Sequence, residues 1–328
     1  MNKSSKIKLS LLILLISIFL IYIYIVIAPA VEISSSDTTG FIGENNTYSS
    51  AFAMNVTFFA GNTFFAYYDP SSNITTNTRI DNSNLWGNVT DRNSMDAMIY
   101  SQRMNRIYFI GSNQNGRGTR FGSFSPSQNT TTNMTSLIIT IFTRGATGNS
   151  NSLTSIAYDS SRNLIFIGAD DYSDAGTNTY AYINLTSNAT VDISGKDAGD
   201  FFAGIGTNAY ISSMVHNEDN RTYMTAINFG GANNFAFYDI RTDITYSLAN
   251  NDTGNWLNGD VYASAYNPNS KRVYVGGVSG DFGYLDENQV VNPIIQIDVS
   301  NATTGTITAI TIDKIRNLTY FSAGSMFA

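Results

Sequence analysis

The chain holds a single histidine, His216, in the stretch Val215-His216-Asn217-Glu218-Asp219-Asn220. A nucleophile–histidine–acid triad needs an imidazole as its base, so any such triad must use this one. No G-x-S-x-G elbow accompanies it, and the stretch reads as a turn between two strands, where a side chain is expected to be solvated. Carboxylates cluster at Asp170, Asp171 and Asp174 with Gly176 behind them, and more sparsely at Asp197 and Asp200. Carboxylate oxygens are ligands for Ca2+, but the spacing departs from D-x-[DN]-x-[DN]-G, and a solvated turn is the stronger of the two readings. Arg117 and Arg120 flank Gly118 in a Gly/Asn-rich loop. Two guanidinium groups there could grip an anion, with a plain solvated loop as the competing reading. Trp86 and Trp256 each lie between the end of one sequence repeat and the start of the next, where Phe201 and Phe202 stand in a third such connection. An exposed indole would stack on a sugar ring. A repeated one reads more simply as a wedge between neighbouring units.

A second chemistry is written in N-x-[ST] triplets. They open at Asn45, Asn55, Asn73, Asn88, Asn129, Asn133, Asn184, Asn188, Asn220, Asn251, Asn301 and Asn317. Each is an acceptor for N-linked sugar if the chain is exported, and a chance match in an Asn/Ser/Thr-rich sequence if it is not. The set as a whole favours a glycosylated surface protein. The three that precede a buried apolar run, Asn55, Asn220 and Asn317, are the stringent cases, because a glycan cannot fit between packed layers.

Export is the reading of the N-terminus. Lys3, Lys6 and Lys8 precede an apolar run from Leu9 to Ala28 interrupted only by serines and tyrosines. The run is about 20 residues long, which exceeds a signal-peptide core of roughly 7–15 and fits a membrane span of roughly 17–25. Ala28-Pro29-Ala30 also fits a cleavage site, so residues 1–30 are an uncleaved anchor or a removed signal, with length favouring the anchor. In both readings the lysines stay inside and the rest of the chain goes out, at the cell surface or secreted.

Composition narrows the partners. The chain has 328 residues, of which 43% are hydrophobic and only 13% charged, with a net charge of −7. That acidic balance argues against nucleic acid, which needs a basic face. With no cysteine there are no disulfides and no thiolate metal sites, and one histidine removes most zinc chemistry. No cofactor is expected apart from the calcium reading above.

The elements that must carry these residues repeat. The phrases Asn105–Gly111 (NRIYFIG), Arg162–Gly168 (RNLIFIG) and Lys271–Gly277 (KRVYVGG) are near-copies. Looser versions occur at Asn55–Gly61, Asn220–Ala226 and Asn317–Gly324. Their terminal small residues, Gly61, Gly111, Gly168, Ala226, Gly277 and Gly324, recur about every 50 residues, the signature of repeated supersecondary units. Upstream of each phrase lies a short strand such as Ser155–Asp159. Downstream comes a third strand ending in an acid or polar turn, as in Phe64–Asp69, Tyr180–Asn184, Phe235–Asp239 and Phe282–Asp286. A Thr/Asn-rich fourth strand follows, as in Ala189–Ser194 and Ile244–Leu248. Four strands at this period predict an all-β fold, a β-propeller of six four-stranded blades over residues 43–328. The continuous apolar phrases predict second strands covered on both faces. Their glycines predict a sharp turn or a close approach.

The pattern Tyr-Asp, turn, Asn, hydrophobic-Tyr-Val-Gly, loop, aromatic-x-Tyr-Asp resembles the YVTN-type surface propellers. It is matched best by Ser155–Ser194 and Val261–Ser300. Phe229-Gly230-Gly231 followed by Phe235–Asp239 is similar to the double-glycine kelch blade. The resemblance implies a scaffold and brings no ligand with it.

The sixth unit has strands at Thr306–Ile312 and Leu318–Ala323, and the sequence ends at Ala328 as a third begins. Residues 31–42 are therefore expected to add the closing strand, since an open blade would leave a raw sheet edge. A chain that continues beyond Ala328 is the competing reading. The function expected is binding, adhesion or an envelope structural role at the cell surface, with surface glycans or proteins as partners. A propeller glycoside hydrolase or lyase is the alternative, although no S-x-D-x-G-x-T-W box recurs.

Overall fold

The computed structural model describes residues 47–53, 56–61, 65–69, 71–72, 74–77, 93–113, 119–142, 153–169, 180–196, 210–227, 235–248, 259–287, 294–297, 305–323 and 326–327. Within them the backbone is almost entirely extended. The first sheet holds β1 (Thr47–Ala53), β2 (Val56–Gly61), β3 (Phe65–Asp69) and β4 (Ile74–Asn77). The second holds β5 (Asn93–Ser101), β6 (Arg106–Asn113), β7 (Thr119–Ser125) and β8 (Thr130–Asn133). The third holds β9 (Leu153–Asp159), β10 (Leu164–Ala169), β11 (Tyr180–Asn184) and β12 (Ala189–Asp192). The fourth holds β13 (Tyr210–His216), β14 (Arg221–Ile227), β15 (Phe235–Asp239) and β16 (Ile244–Ser247). The fifth holds β17 (Val261–Asn267), β18 (Arg272–Gly277), β19 (Phe282–Asp286) and β20 (Ile294–Gln296). The sixth, with three strands among the described residues, holds β21 (Ile307–Asp313), β22 (Leu318–Ala323) and β23 (Met326–Phe327). Among the described residues the one α-helical piece, α1 (Ile139–Phe142), follows a short 3-10 turn after β8.

Every sheet is an antiparallel meander in chain order. Successive sheets touch through their first strands: β1 packs on β5, β5 on β9, β9 on β13, β13 on β17 and β17 on β21. Six such sheets in sequence form the expected β-propeller, with the first strands innermost. The apolar phrases are the second strands. β10 (LIFIGA) is buried at every position, as is the third strand β15 (FAFYD). The innermost β17 alternates between buried and half-buried residues, and the outer β8 and β12 are polar and largely exposed. These are the patterns that two-sided and one-sided burial dictate.

No single core holds the molecule together. Phe58 and Phe65 of the first sheet pack with Ile107, Phe109 and Phe124 of the second. Tyr108, Ile110 and Phe121 turn the other way, onto Ile156, Ile165 and Ile183 of the third. Phe166 and Tyr180 meet Met214, Met224 and Tyr238 of the fourth. Tyr223, Phe235 and Phe237 meet Val273, Val275 and Leu285 of the fifth. Phe282 meets Ile307 and Phe321 of the sixth. Each sheet thus offers alternate side chains to its two neighbours, and the core is a series of seams.

The recurring glycine answers to the seam. A methyl group on Gly168 would lie 2.5 Å from Ser155 Oγ and 2.9 Å from Ile211 Cβ in the next blade. In the fifth blade the same approach falls one residue earlier, where a methyl on Gly276 would meet Ile307 of the next blade, while one on the phrase-ending Gly277 would lie 2.8 Å from the Asp260 carbonyl of its own blade. Of the two predicted reasons for the glycine, close approach is the one these positions show. A second regularity is a β-bulge at the same place in every first strand, where Tyr48, Asp96, Thr154, Ser212, Tyr262 and Thr308 are the extra residues. Two of these reach across the seam. Thr154 Oγ1 donates to the Ile211 carbonyl at 2.5 Å, and Ser212 Oγ donates to the carbonyl of Val261. The bulge re-aims a side chain onto the next blade's backbone.

Candidate functional site

The two ends of the propeller are built differently. At one end, most first-to-second and third-to-fourth strand pairs are joined by the same four-residue hairpin, with β1–β2, β13–β14 and β19–β20 joined otherwise. Asp159 pairs with Leu164 across it, Ser101 with Arg106, Asn267 with Arg272 and Asp313 with Leu318. Ser125 pairs with Thr130, Asn184 with Ala189 and Asp239 with Ile244 across the third-to-fourth-strand version. The last loop residue has positive φ in every case: Asn105, Asn163, Lys271, Asn317, Asn129, Asn188 and Asp243. Asn and Asp tolerate that region best among residues with a side chain. The first position carries an acceptor that satisfies the loop N–H groups. Asp159 Oδ1 takes Ser161 N at 2.9 Å and Arg162 N at 3.0 Å, and Asp313 and Asn184 do the same in their loops.

The acceptors on this turn end also stitch neighbouring blades. Arg162 donates to Asp159 Oδ2 at 2.9 Å and crosses to the Asp219 carbonyl at 2.8 Å and to Asn220 Oδ1 in the fourth blade. Asn217 Nδ2 crosses to Glu287 Oε1 in the fifth blade at 2.8 Å, and Tyr223 donates its hydroxyl to the same oxygen. Asn267 Nδ2 crosses to Asn317 Oδ1 in the sixth at 2.8 Å. The cations here are paired: Arg241 with Asp239 at 3.0 Å and Arg316 with Asp313 at 2.6 Å. Burial and the Glu287 charge push the Tyr223 hydroxyl well above its usual pKa, and the same two causes take Tyr266 to about 12.

His216 belongs to this stitching and departs from the solvated turn residue predicted for it. It is the last residue of β13, and its side chain is 4% exposed. The ring lies against Phe166 of the third blade, centroids 5.7 Å apart and planes at 12°. Nδ1 is 2.9 Å from Thr222 Oγ1. Nε2 is buried with no hydrogen-bond partner, 3.6 Å from Asp159 Oδ2. Burial lowers its pKa to about 4, against the pull of Asp159. Burial raises the Asp159 carboxyl, but the Ser161 and Arg162 hydrogen bonds outweigh it and hold the group below its ordinary value. The hydroxyl beside the ring belongs to Thr222, which is buried along with the side chains of His216 and Asp159, so the three groups form no triad open to a substrate. The missed signal lay in the repeat. Tyr100, Tyr158 and Tyr266 stand at the position that His216 fills, each one residue before its loop's capping side chain and packed on the preceding blade.

The other predicted residues separate cleanly. Arg120 is in strand β7 opposite Gly111, half-buried, and its Nε is buried without a hydrogen bond, so it is not the loop residue expected. Asn220 is 7% exposed, its Oδ1 taken by Arg162 and its Nδ2 donated to Asp219, which corrects its reading as a glycan acceptor. Asn129, Asn188 and Asn317 are exposed at the positive-φ loop position, and Asn133 and Asn184 accept backbone N–H bonds from Thr135 and Thr186. Trp86, Trp256, Arg117, Asp170, Asp171, Asp174, Asn45, Asn55, Asn73, Asn88, Asn251 and Asn301 lie outside the described residues, as do Asp197, Asp200, Phe201, Phe202 and residues 1–42. Among the described residues no three metal-ligating side chains converge, and no helix is long and apolar enough to cross a membrane.

The strand ends that bound the longer connections, 78–92, 114–118, 170–179, 228–234 and 249–258, all lie opposite the hairpin turns. The two tryptophans, Arg117 and the Asp170 cluster fall within these connections in sequence. No protein-family model and no curated protein sequence matches the chain. Among solved structures, a chain in the crystal structure of a mitotic checkpoint complex is similar, covering 84% of this chain and 71% of that chain at a TM-score of 0.54 and 11% identity. At that identity the likeness, to a WD40-like propeller, is one of fold alone.

Proposed function

We propose that the chain is an extracytoplasmic, glycosylated surface propeller of the YVTN/kelch-like kind, held by residues 9–28 and acting as a binding module toward surface glycans or proteins. The observation that carries this reading is the contrast between the two ends. The turn end is closed by short hairpins whose acceptors and cations are committed to one another and to neighbouring blades. The opposite end receives the connections 78–92, 114–118, 170–179 and 249–258, which carry in sequence the aromatic and charged residues able to recognise a ligand. Binding sites on rigid scaffolds are carried by such connections. The apolar run Leu9–Ala28 after three lysines supplies the route out of the cell.

The test is a glycan array probed with the exported domain, residues 31–328, beside the variants Trp86→Ala and Trp256→Ala. Selective binding that drops at least tenfold in either variant, with an unchanged melting temperature, is the expected result. Binding that survives both substitutions, or protease treatment of intact cells that leaves the protein untouched, would overturn the reading.

A further inference from the structure

Six N-x-T triplets open within the described residues, at Asn129, Asn133, Asn184, Asn188, Asn220 and Asn317, and Asn133 ends β8 away from the hairpin turns. Asn129, Asn188 and Asn317 each occupy the last position of a four-residue hairpin, with φ of 52°, 54° and 56°. All three are exposed, and all three stand at the turn end. The turn alone accounts for the asparagine. It does not account for the hydroxyl two residues on. Among the first-to-second-strand hairpins Asn105 and Asn163 are followed by the buried Ile107 and Ile165 and Asn317 by the half-exposed Thr319, while on the polar fourth strands Thr131 and Thr190 follow Asn129 and Asn188 as Thr245 follows Asp243. Asn220 carries the same triplet at the corresponding turn of the fourth blade, but its amide is buried and hydrogen-bonded to both sides.

We propose that oligosaccharide is attached at Asn129, Asn188 and Asn317, the exposed hairpin tips, and not at the buried Asn220. The inference rests on the extracytoplasmic reading above. The donor is an oligosaccharide linked through its anomeric carbon to a polyisoprenyl phosphate or diphosphate. The asparagine Nδ2 forms the new N–C bond, the anomeric C–O bond breaks, the lipid phosphate leaves with the electron pair, and the amide gives up one proton. The acceptor must present its amide to an enzyme outside the fold, which an exposed hairpin tip does and a seam does not.

The experiment is glycopeptide mass spectrometry on the full chain purified from the cells that make it, alongside protease treatment of those cells intact. The expected result is sugar on the peptides containing Asn129, Asn188 and Asn317 and an unmodified Asn220. Thr131→Ala and Thr319→Ala keep each asparagine in its turn and should each remove one glycan with no change in melting temperature. Sugar on Asn220, or three bare sites on a protein that surface protease does reach, overturns this inference and leaves the surface reading standing. A protein that surface protease cannot reach overturns the surface reading itself.

Discussion

His216 is the residue whose environment makes the sharpest claim. An imidazole with an ordinary pKa of 6.5 is held near 4 by burial against Phe166, while Asp159, Arg162 and Asp219 contribute opposing charges around it. The unfolded chain takes up a proton as pH falls through 6.5 and the folded chain does not, so the stability this site contributes is complete above 6.5 and is lost as pH drops toward about 4. At about 1.4 kcal/mol per pKa unit the loss is on the order of 3 kcal/mol. Urea titrations between pH 7 and pH 4 should show it, and His216→Gln should flatten that window. Below it, protonation of Asp159, which is depressed from 3.8, removes the acceptor of its own loop and steepens the decline. A wild-type midpoint that does not move between pH 7 and pH 4.5 would refute the account. The sequence offered His216 as a candidate base because its type is rare in this chain. Its role became visible only when its position matched that of Tyr100, Tyr158 and Tyr266.

Strands and turns were more legible than side-chain roles. The second strands, the turn residues and the polar outer strands could all be read from the repeated phrase, because two-sided burial leaves a continuous apolar run and positive φ selects asparagine. The bulges were not legible. Five of the six bulge residues, Tyr48, Thr154, Ser212, Tyr262 and Thr308, carry a hydroxyl and the sixth is Asp96, but hydroxyl residues are so frequent in this chain that the sequence did not set these apart. The phrase glycine was legible as a constraint but not as to its cause. At Gly168 the structure gives the cause as the next blade's inner strand, and a prediction follows for β10. Gly168→Ala places a methyl group against Ser155 and Ile211, which are both held in strands, and should cost about 1–3 kcal/mol by overpacking. Gly195→Ala has open space at the corresponding atom and serves as the control. Equal melting temperatures for the two variants would show that the seam yields.

For the whole molecule the open matter is closure. Five sheets have four strands, and the sixth has three among the described residues. A free edge exposes a row of unpaired backbone groups. Residues 31–42 lie immediately before the first blade in sequence and are the segment expected to cover that edge. Deleting them from the exported domain should lower the melting temperature by several degrees or cause aggregation, as followed by calorimetry and light scattering. An unchanged thermogram would assign the closing strand elsewhere. The blade count was legible from the period of the phrase. The roles of the opposite end were not, because the one recurring feature there, an aromatic between successive units at Trp86, Phe201 and Trp256, fits a wedge between blades as well as a sugar platform, and Arg117 and the Asp170 cluster have no repeated counterpart.

The seams have a consequence for how such a molecule fails and how it grows. Because each apolar cluster belongs to two neighbouring sheets, with no core common to all six, damage in one place has a short reach. A defect between the third and fourth blades loosens a single joint, and the remaining joints keep their own contacts. Duplication of a blade adds one joint of a kind already present and asks nothing new of distant residues. The architecture is therefore modular in its breakdown and in its ancestry alike: a succession of interchangeable segments in which, among the described residues, each answers to its neighbours in the series.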